Sequence, residues 1–124
     1  MNILLDSCIV IEVLRGRDRS LLVKWSVLTE SSDEVLFSPL TASKVWPWVR
    51  PHEHAAISRF FRPLTCATID YRVGQLAGEF LRQYSKSHGL ESSDALMAAT
   101  AMQNQAALWT LNRKRYPMAE LTLY

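Results

Sequence analysis

Asp6, Asp94 and Asn112 are the residues whose types and settings can do chemistry. Asp6 closes the apolar run Ile3-Leu4-Leu5, Asn112 lies just past Ala107-Leu108-Trp109-Thr110, and Asp94 opens a stretch of small apolar residues at helical spacing. Carboxylate and amide oxygens are hard ligands of the kind that hold Mg²⁺ or Mn²⁺. Two carboxylates brought close repel each other, so a site pairing Asp6 with Asp94 is stable mainly when a metal ion, a proton or a cation sits between them. Taken singly, each aspartate equally suits a helix cap.

The elements that must position them follow from apolar spacing. Ile3-Leu4-Leu5 and Val35-Leu36-Phe37 are short continuous apolar runs, the pattern of strands buried on both faces. Ala107 to Thr110 predicts a third strand and Leu121-Thr122-Leu123 a last short one, whereas Leu64 to Ile69 is too short and mixed to assign. Helices are expected from Ser7, as its cap, to Arg15-Gly16, and from Asp18 to about Leu28. A third follows Ser38-Pro39 with Thr41 as cap, is kinked at Pro47, and continues from His52 to Phe61 beyond the closure at Pro51. Asp70 caps a helix to about Ser85, in which Gly74 and Gly78 permit close packing, and Ser92 or Ser93 starts the helix carrying Asp94. Strands alternating with helices imply an α/β fold with a mostly parallel sheet covered on both faces. The functional crevice of such a sheet lies beyond the carboxyl ends of its strands, which is where Asp6 and Asn112 fall.

The chain has 124 residues, 48% of them hydrophobic and 21% charged, enough for one core and typical of a globular protein, so residues 1–124 are expected to form one domain. A net charge of +2 neither requires nor excludes a nucleic-acid partner. Cys8 and Cys66 lack metal-site or disulfide-scaffold spacing and are expected to be reduced, buried thiols. The N-terminus lacks a basic leader region and no apolar run approaches the ~20 residues that span a bilayer, so the expectation is a cytoplasmic protein without membrane association. Neither a glycine-rich phosphate loop nor a Gly-x-Ser-x-Gly elbow occurs, which sets aside P-loop and serine-hydrolase chemistry. His52, His54 and His88 have no matching ligand array and are expected on the surface.

Four segments together resemble the VapC-type PIN domains: Leu4-Leu5-Asp6-Ser7-Cys8-Ile9-Val10-Ile11, Ser38-Pro39-Leu40-Thr41, Asp94-Ala95-Leu96-Met97-Ala98-Ala99-Thr100-Ala101, and Leu108-Trp109-Thr110-Leu111-Asn112-Arg113-Lys114. The resemblance covers nearly the whole chain. It implies a three-layer α/β/α PIN-like domain, homodimeric, that hydrolyses RNA phosphodiester bonds with Mg²⁺ or Mn²⁺ and is silenced by a cognate antitoxin. By that likeness Asp6 and Asp94 are metal ligands and Asn112 stands where the family has Asp or Asn. The ion would lower the pKa of bound water and offset charge on the leaving oxygen.

One departure bears on that chemistry. The family pattern after the second strand is approximately Ser-x-x-Thr-x-x-Glu-Leu, whereas this chain has Ser38-Pro39-Leu40-Thr41-Ala42-Ser43-Lys44-Val45. Lys44 thus occupies the glutamate position, replacing a negative charge by a positive one and opposing cation binding over a few Å. The expectation is a Lys44 ammonium paired with Asp6 and Asp94, weak metal affinity and impaired catalysis. The alternative is a noncatalytic PIN-like module that binds an antitoxin or RNA. Arg115 also sits where a histidine often precedes the pair Tyr116-Pro117. Glu91, one turn before Asp94, is a candidate replacement ligand or a solvated charge at a helix start. Arg113, Lys114 and Arg115 suit RNA phosphates or an ordinary solvated turn. Trp46, Trp48, Phe60 and Phe61 suit either a groove for an antitoxin helix or the core.

Overall fold

The computed structural model describes residues 1–124. Strand β1 (Asn2–Leu5) leads into helices α1 (Ser7–Arg15) and α2 (Arg19–Glu30), then strand β2 (Glu34–Phe37) and helix α3 (Pro39–Val45). Helix α4 (His54–Phe61), strand β3 (Thr65–Cys66), helices α5 (Tyr71–His88) and α6 (Ser92–Gln103) and strand β4 (Ala106–Trp109) complete the order. Short 3₁₀ turns at Trp46–Trp48, Pro51–Glu53 and Arg113–Arg115 fill the connections.

The sheet runs β3-β2-β1-β4 and all four strands are parallel, sharpening the expected mostly parallel sheet. Alternation along the strands divides the core. Leu4, Leu36 and Leu108 face α5 and α6, whereas Ile3, Leu5, Val35 and Trp109 face α1, α2 and α4, giving three layers. β1 is fully covered on both faces, which is why its sequence is a continuous apolar run rather than an alternating one. The chain leaves β1 through α1 and α2 toward β2, and returns from β3 through α5 and α6 to β4 on the other side of β1. That reversal makes the carboxyl ends of β1 and β4 the switch point at which such sheets open a crevice.

Several local expectations are corrected. Asp6, not Ser7, caps α1, and Ser38, not Thr41, caps α3: an extended residue with an acceptor side chain just before the first helical residue serves better than one inside the turn. α3 ends at Val45 and the Trp46-Pro47-Trp48 segment tightens into a 3₁₀ turn instead of kinking a longer helix. α6 starts at Ser92, as expected, with Glu91 preceding it. α5 extends to His88, where Gly89 at φ 63° ends it in the left-handed region. Gly74 and Gly78 have open space where a Cβ would stand, so they do not serve close packing. The last predicted strand is a single parallel bridge between Leu123 and Leu108. Both cysteines are free, as expected, but Cys66 is exposed on the two-residue edge strand and Cys8 only half-buried. All three histidines are exposed. No helix is long and apolar enough to cross a membrane.

Candidate active site

Asp6 stands at the switch point, only 8% exposed. Its backbone N–H donates to the Trp109 carbonyl at 2.9 Å, tying the end of β1 to the end of β4. Its Oδ1 accepts from the Ser7 backbone N–H at 2.8 Å, while its Oδ2 accepts from the Thr110 hydroxyl at 2.7 Å and the Tyr116 hydroxyl at 3.0 Å. All three donors are neutral. They hold the carboxylate in position without cancelling its charge.

Tyr116 was not identified from the sequence as a site residue, since an aromatic after a polar turn reads as core. It is core, at 4% exposure, but its hydroxyl points at Asp6. Burial raises its pKa most, and the charges of Asp6 and Asp94 raise it further, so the phenol stays protonated and remains a donor. Tyr116, hydrogen-bonded to Asp6, directly follows Arg115, which is hydrogen-bonded to Asp94. Cys8, the second residue of α1, also has its thiol pKa raised by burial and then by the Asp6 charge; its sulfur accepts from the Leu111 backbone N–H at 3.4 Å and serves the turn rather than as a nucleophile.

Asp94 lies at the start of α6, its side chain 16% exposed. Its Oδ2 accepts from the Glu91 backbone N–H at 3.1 Å and from the Arg115 guanidinium at 3.1 Å. Glu91 Oε1 lies 3.8 Å from the same guanidinium nitrogen. Hydrogen bonding to Asp94, followed by the charges of Asp94 and Glu91, raises the Arg115 pKa, so the guanidinium holds its proton more tightly. Asn112 begins the 3₁₀ turn at 113–115; its backbone N–H donates to the Thr110 hydroxyl at 3.0 Å, and its exposed side chain makes no hydrogen bond within the chain. The 110–116 segment therefore ties Asp6, through Thr110 and Tyr116, to Asp94, through Arg115, with Asn112 in the turn between them.

Lys44 does not join them. The expected ion pair with Asp6 and Asp94 is absent; the cation at the crevice is Arg115. The Thr41 hydroxyl lies 3.1 Å from that of Ser7, fixing α3 against the Asp6 corner, but Lys44 one turn later is exposed. It lines a groove of about 480 Å³ with Ile11, Leu14, Val45, Trp48 and Ile57. A long flexible ammonium gains more from water than from a crevice already served by a guanidinium. Glu91 and Asp94 do converge on a common point, but it is the Arg115 Nη1 that occupies it. Of the four aromatics, Trp48 is 84% exposed on the groove, Trp46 packs edge-on against His54, Phe60 stacks on Trp25, and Phe61 is buried against Phe37.

This donor set does not fit a tightly held divalent ion. Nowhere do three or more acidic, cysteine or histidine side chains converge as ligands. One oxygen of Asp94 is shared between two donors, and Asp6 already accepts three hydrogen bonds. Beside two carboxylates, the guanidinium of Arg115 stands where charge compensation is needed.

No family model matches the chain. It is 31% identical over 116 residues to Ribonuclease VapC19 of Mycobacterium tuberculosis, a match covering 93% of this chain and 92% of that protein. Ribonuclease VapC10 of the same species is 28% identical over 123 residues, covering 95% and 88%. Among solved structures, VapBC2 from Rickettsia felis bound to a promoter DNA fragment matches with a TM-score of 0.82 at 19% identity, over 100% of this chain and 98% of that one. VapBC-1 from nontypeable Haemophilus influenzae matches with a TM-score of 0.81 at 17% identity, over 100% and 97%. At those identities the structural likeness establishes a shared fold.

Proposed function

Because this chain belongs to the VapC family of PIN-domain ribonucleases, we propose that it is an endoribonuclease toxin whose hydrolytic step is impaired by the charges of its own crevice. The whole of residues 1–124 acts as one domain, in the cytoplasm, on an RNA substrate, as a homodimer neutralised by a cognate antitoxin. Support for the partner comes from structural neighbours solved as VapBC assemblies. The exposed Trp48 groove offers an apolar surface for an antitoxin helix.

What supports the reading is the hydrogen-bonded 110–116 segment, which links Asp6, Asp94 and Asn112 beside the β1/β4 switch point. Asp6 is fixed by Thr110, Tyr116 and the Ser7 N–H, Asp94 is fixed at the head of α6, and the Asn112 amide is free to meet a phosphate or sugar oxygen. Impairment rests on the carboxylate missing at position 44, where this chain has a lysine turned to solvent, and on the guanidinium on Asp94, which together disfavour the Mg²⁺ or Mn²⁺ on which the family's chemistry is expected to depend. The same two cations favour the second reading, a noncatalytic module that binds RNA or an antitoxin.

The test is cleavage of a mixed RNA pool in Mg²⁺ or Mn²⁺ by the chain and its Lys44→Glu variant, with Lys44→Glu/Asp94→Ala as control. Cleavage by Lys44→Glu at least about tenfold faster than by the parent, a difference of about 1.4 kcal/mol in barrier, and lost in the control, is the expected result. Absence of cleavage by both, with intact folding, rejects the toxin-enzyme reading in favour of the binding module.

A further inference from the structure

Asp6, Asp94 and Glu91 would make the crevice repel a phosphodiester, but Arg113, Lys114 and Arg115 stand against them within one turn of chain. Two of those cations are already positioned. Arg115 Nη1 is fixed on Asp94 at 3.1 Å, and Arg113 Nη1 donates to the Tyr124 carbonyl at 3.1 Å. A guanidinium carries five N–H donors in a rigid fork. Each arginine uses only Nη1 here, which leaves the rest of each fork unpartnered; the Arg115 side chain is 46% exposed. Leu111, Asn112, Arg113, Lys114 and Arg115 line an open basin of about 430 Å³. Holding one end of a guanidinium reduces the rotamer freedom lost when the other end binds a phosphate, and the planar fork suits paired phosphate oxygens.

We propose that Arg115 takes over, for this chain, the neutralising role of a divalent ion at Asp94 and receives an RNA phosphate in the 111–115 basin, so that RNA binds without any divalent metal. The inference rests on RNA being the ligand of this crevice, as in the function proposed above, and concerns how that ligand is held rather than whether it is cut. Arg115 is a binding residue in this account, and Asp94 with Glu91 its positioning partners.

The experiment is fluorescence-anisotropy titration of labelled single-stranded RNA, checked intact on a denaturing gel, in EDTA and in Mg²⁺. The proteins are the full chain, Arg115→Gln and Arg115→Lys, with thermal unfolding of each recorded. The full chain is expected to bind equally in both buffers. Arg115→Gln should bind about tenfold more weakly in EDTA, with a salt dependence shallower by about one phosphate contact, and should recover affinity in Mg²⁺. Arg115→Lys, which keeps the charge but loses the fork, should fall between the two. A full chain that binds RNA only in Mg²⁺ overturns the proposal, as does an Arg115→Gln variant that binds like the parent in EDTA. Failure to bind RNA in either buffer removes RNA as the ligand, and with it both this inference and the ribonuclease reading. Cleavage by Lys44→Glu that needs Mg²⁺, with parent binding that needs it too, overturns only the inference.

Discussion

Asp6 and Asp94 bring the same charge to one crevice, yet the structure treats them differently. Asp6 is nearly buried and is held by three neutral donors contributed by α1, the end of β4 and the turn after it. Asp94, more open to solvent, is held by one backbone N–H and one cation. Neutral donors fix geometry and leave the negative charge in place; a guanidinium cancels the charge and can be exchanged for another cation. The Asp6 corner is therefore the rigid part of the crevice and the Asp94 corner the adjustable part. Substitution of arginine for the histidine expected before Tyr116 acts on the adjustable part alone.

The strongest challenge to this contrast is Asp6→Ala. It leaves the buried Thr110 and Tyr116 hydroxyls and the Ser7 N–H without their acceptor, and a loss of about 2–3 kcal/mol in denaturant-derived stability is expected. A loss within error of zero would mean that water replaces the carboxylate and that the corner is not rigid.

Tyr116→Phe is the intermediate case. Removing one hydrogen bond should cost about 1 kcal/mol at neutral pH. It should also change the alkaline profile. An unfolded tyrosine ionises near 10.0, whereas Tyr116 in the fold stays protonated well above that value. Above that pH the unfolded chain binds fewer protons than the folded one, so stability falls as pH rises, by up to about 1.4 kcal/mol per pH unit from this group. Cys8, whose thiol is also raised from 9.0, adds a loss of the same sign in both proteins. The parent should thus lose stability above pH 10 more steeply than Tyr116→Phe in pH-dependent melts; parallel profiles would contradict the placement of the phenol on Asp6.

Asp94→Asn should have the smallest effect on stability, less than Tyr116→Phe, because its ion pair with Arg115 is solvent-screened and asparagine can still accept from the Glu91 N–H. The difference from the parent should shrink further in high salt. A larger, salt-independent loss would make Asp94 a rigid element like Asp6 and erase the contrast.

Much of the framework was legible because it rests on local pattern. Continuous apolar runs marked β1 and β2, Gly16 and Asp18 marked the boundary between α1 and α2, and Asp70 the start of α5. Caps were misread by one to three residues at Ser7 and Thr41, since neighbouring polar residues in a loop all look like acceptors until the backbone shows which is extended. β3 was illegible as a strand because two residues carry no period, and its pairing to β2 defines it.

The sequence by itself determined the layered α/β architecture, the placement of Asp6 and Asn112 beyond strand ends, and the oddity of lysine at position 44, because each depends on residue type at short range. Only the tertiary structure decided the pairing partners. Lys44 is near Asp6 in motif but turned to solvent, whereas Arg115, 21 residues from Asp94, and Tyr116, 110 residues from Asp6, reach the two carboxylates. The strand order brings the segment after β4 beside the end of β1, and the electrostatics of the crevice follow from that meeting of distant segments.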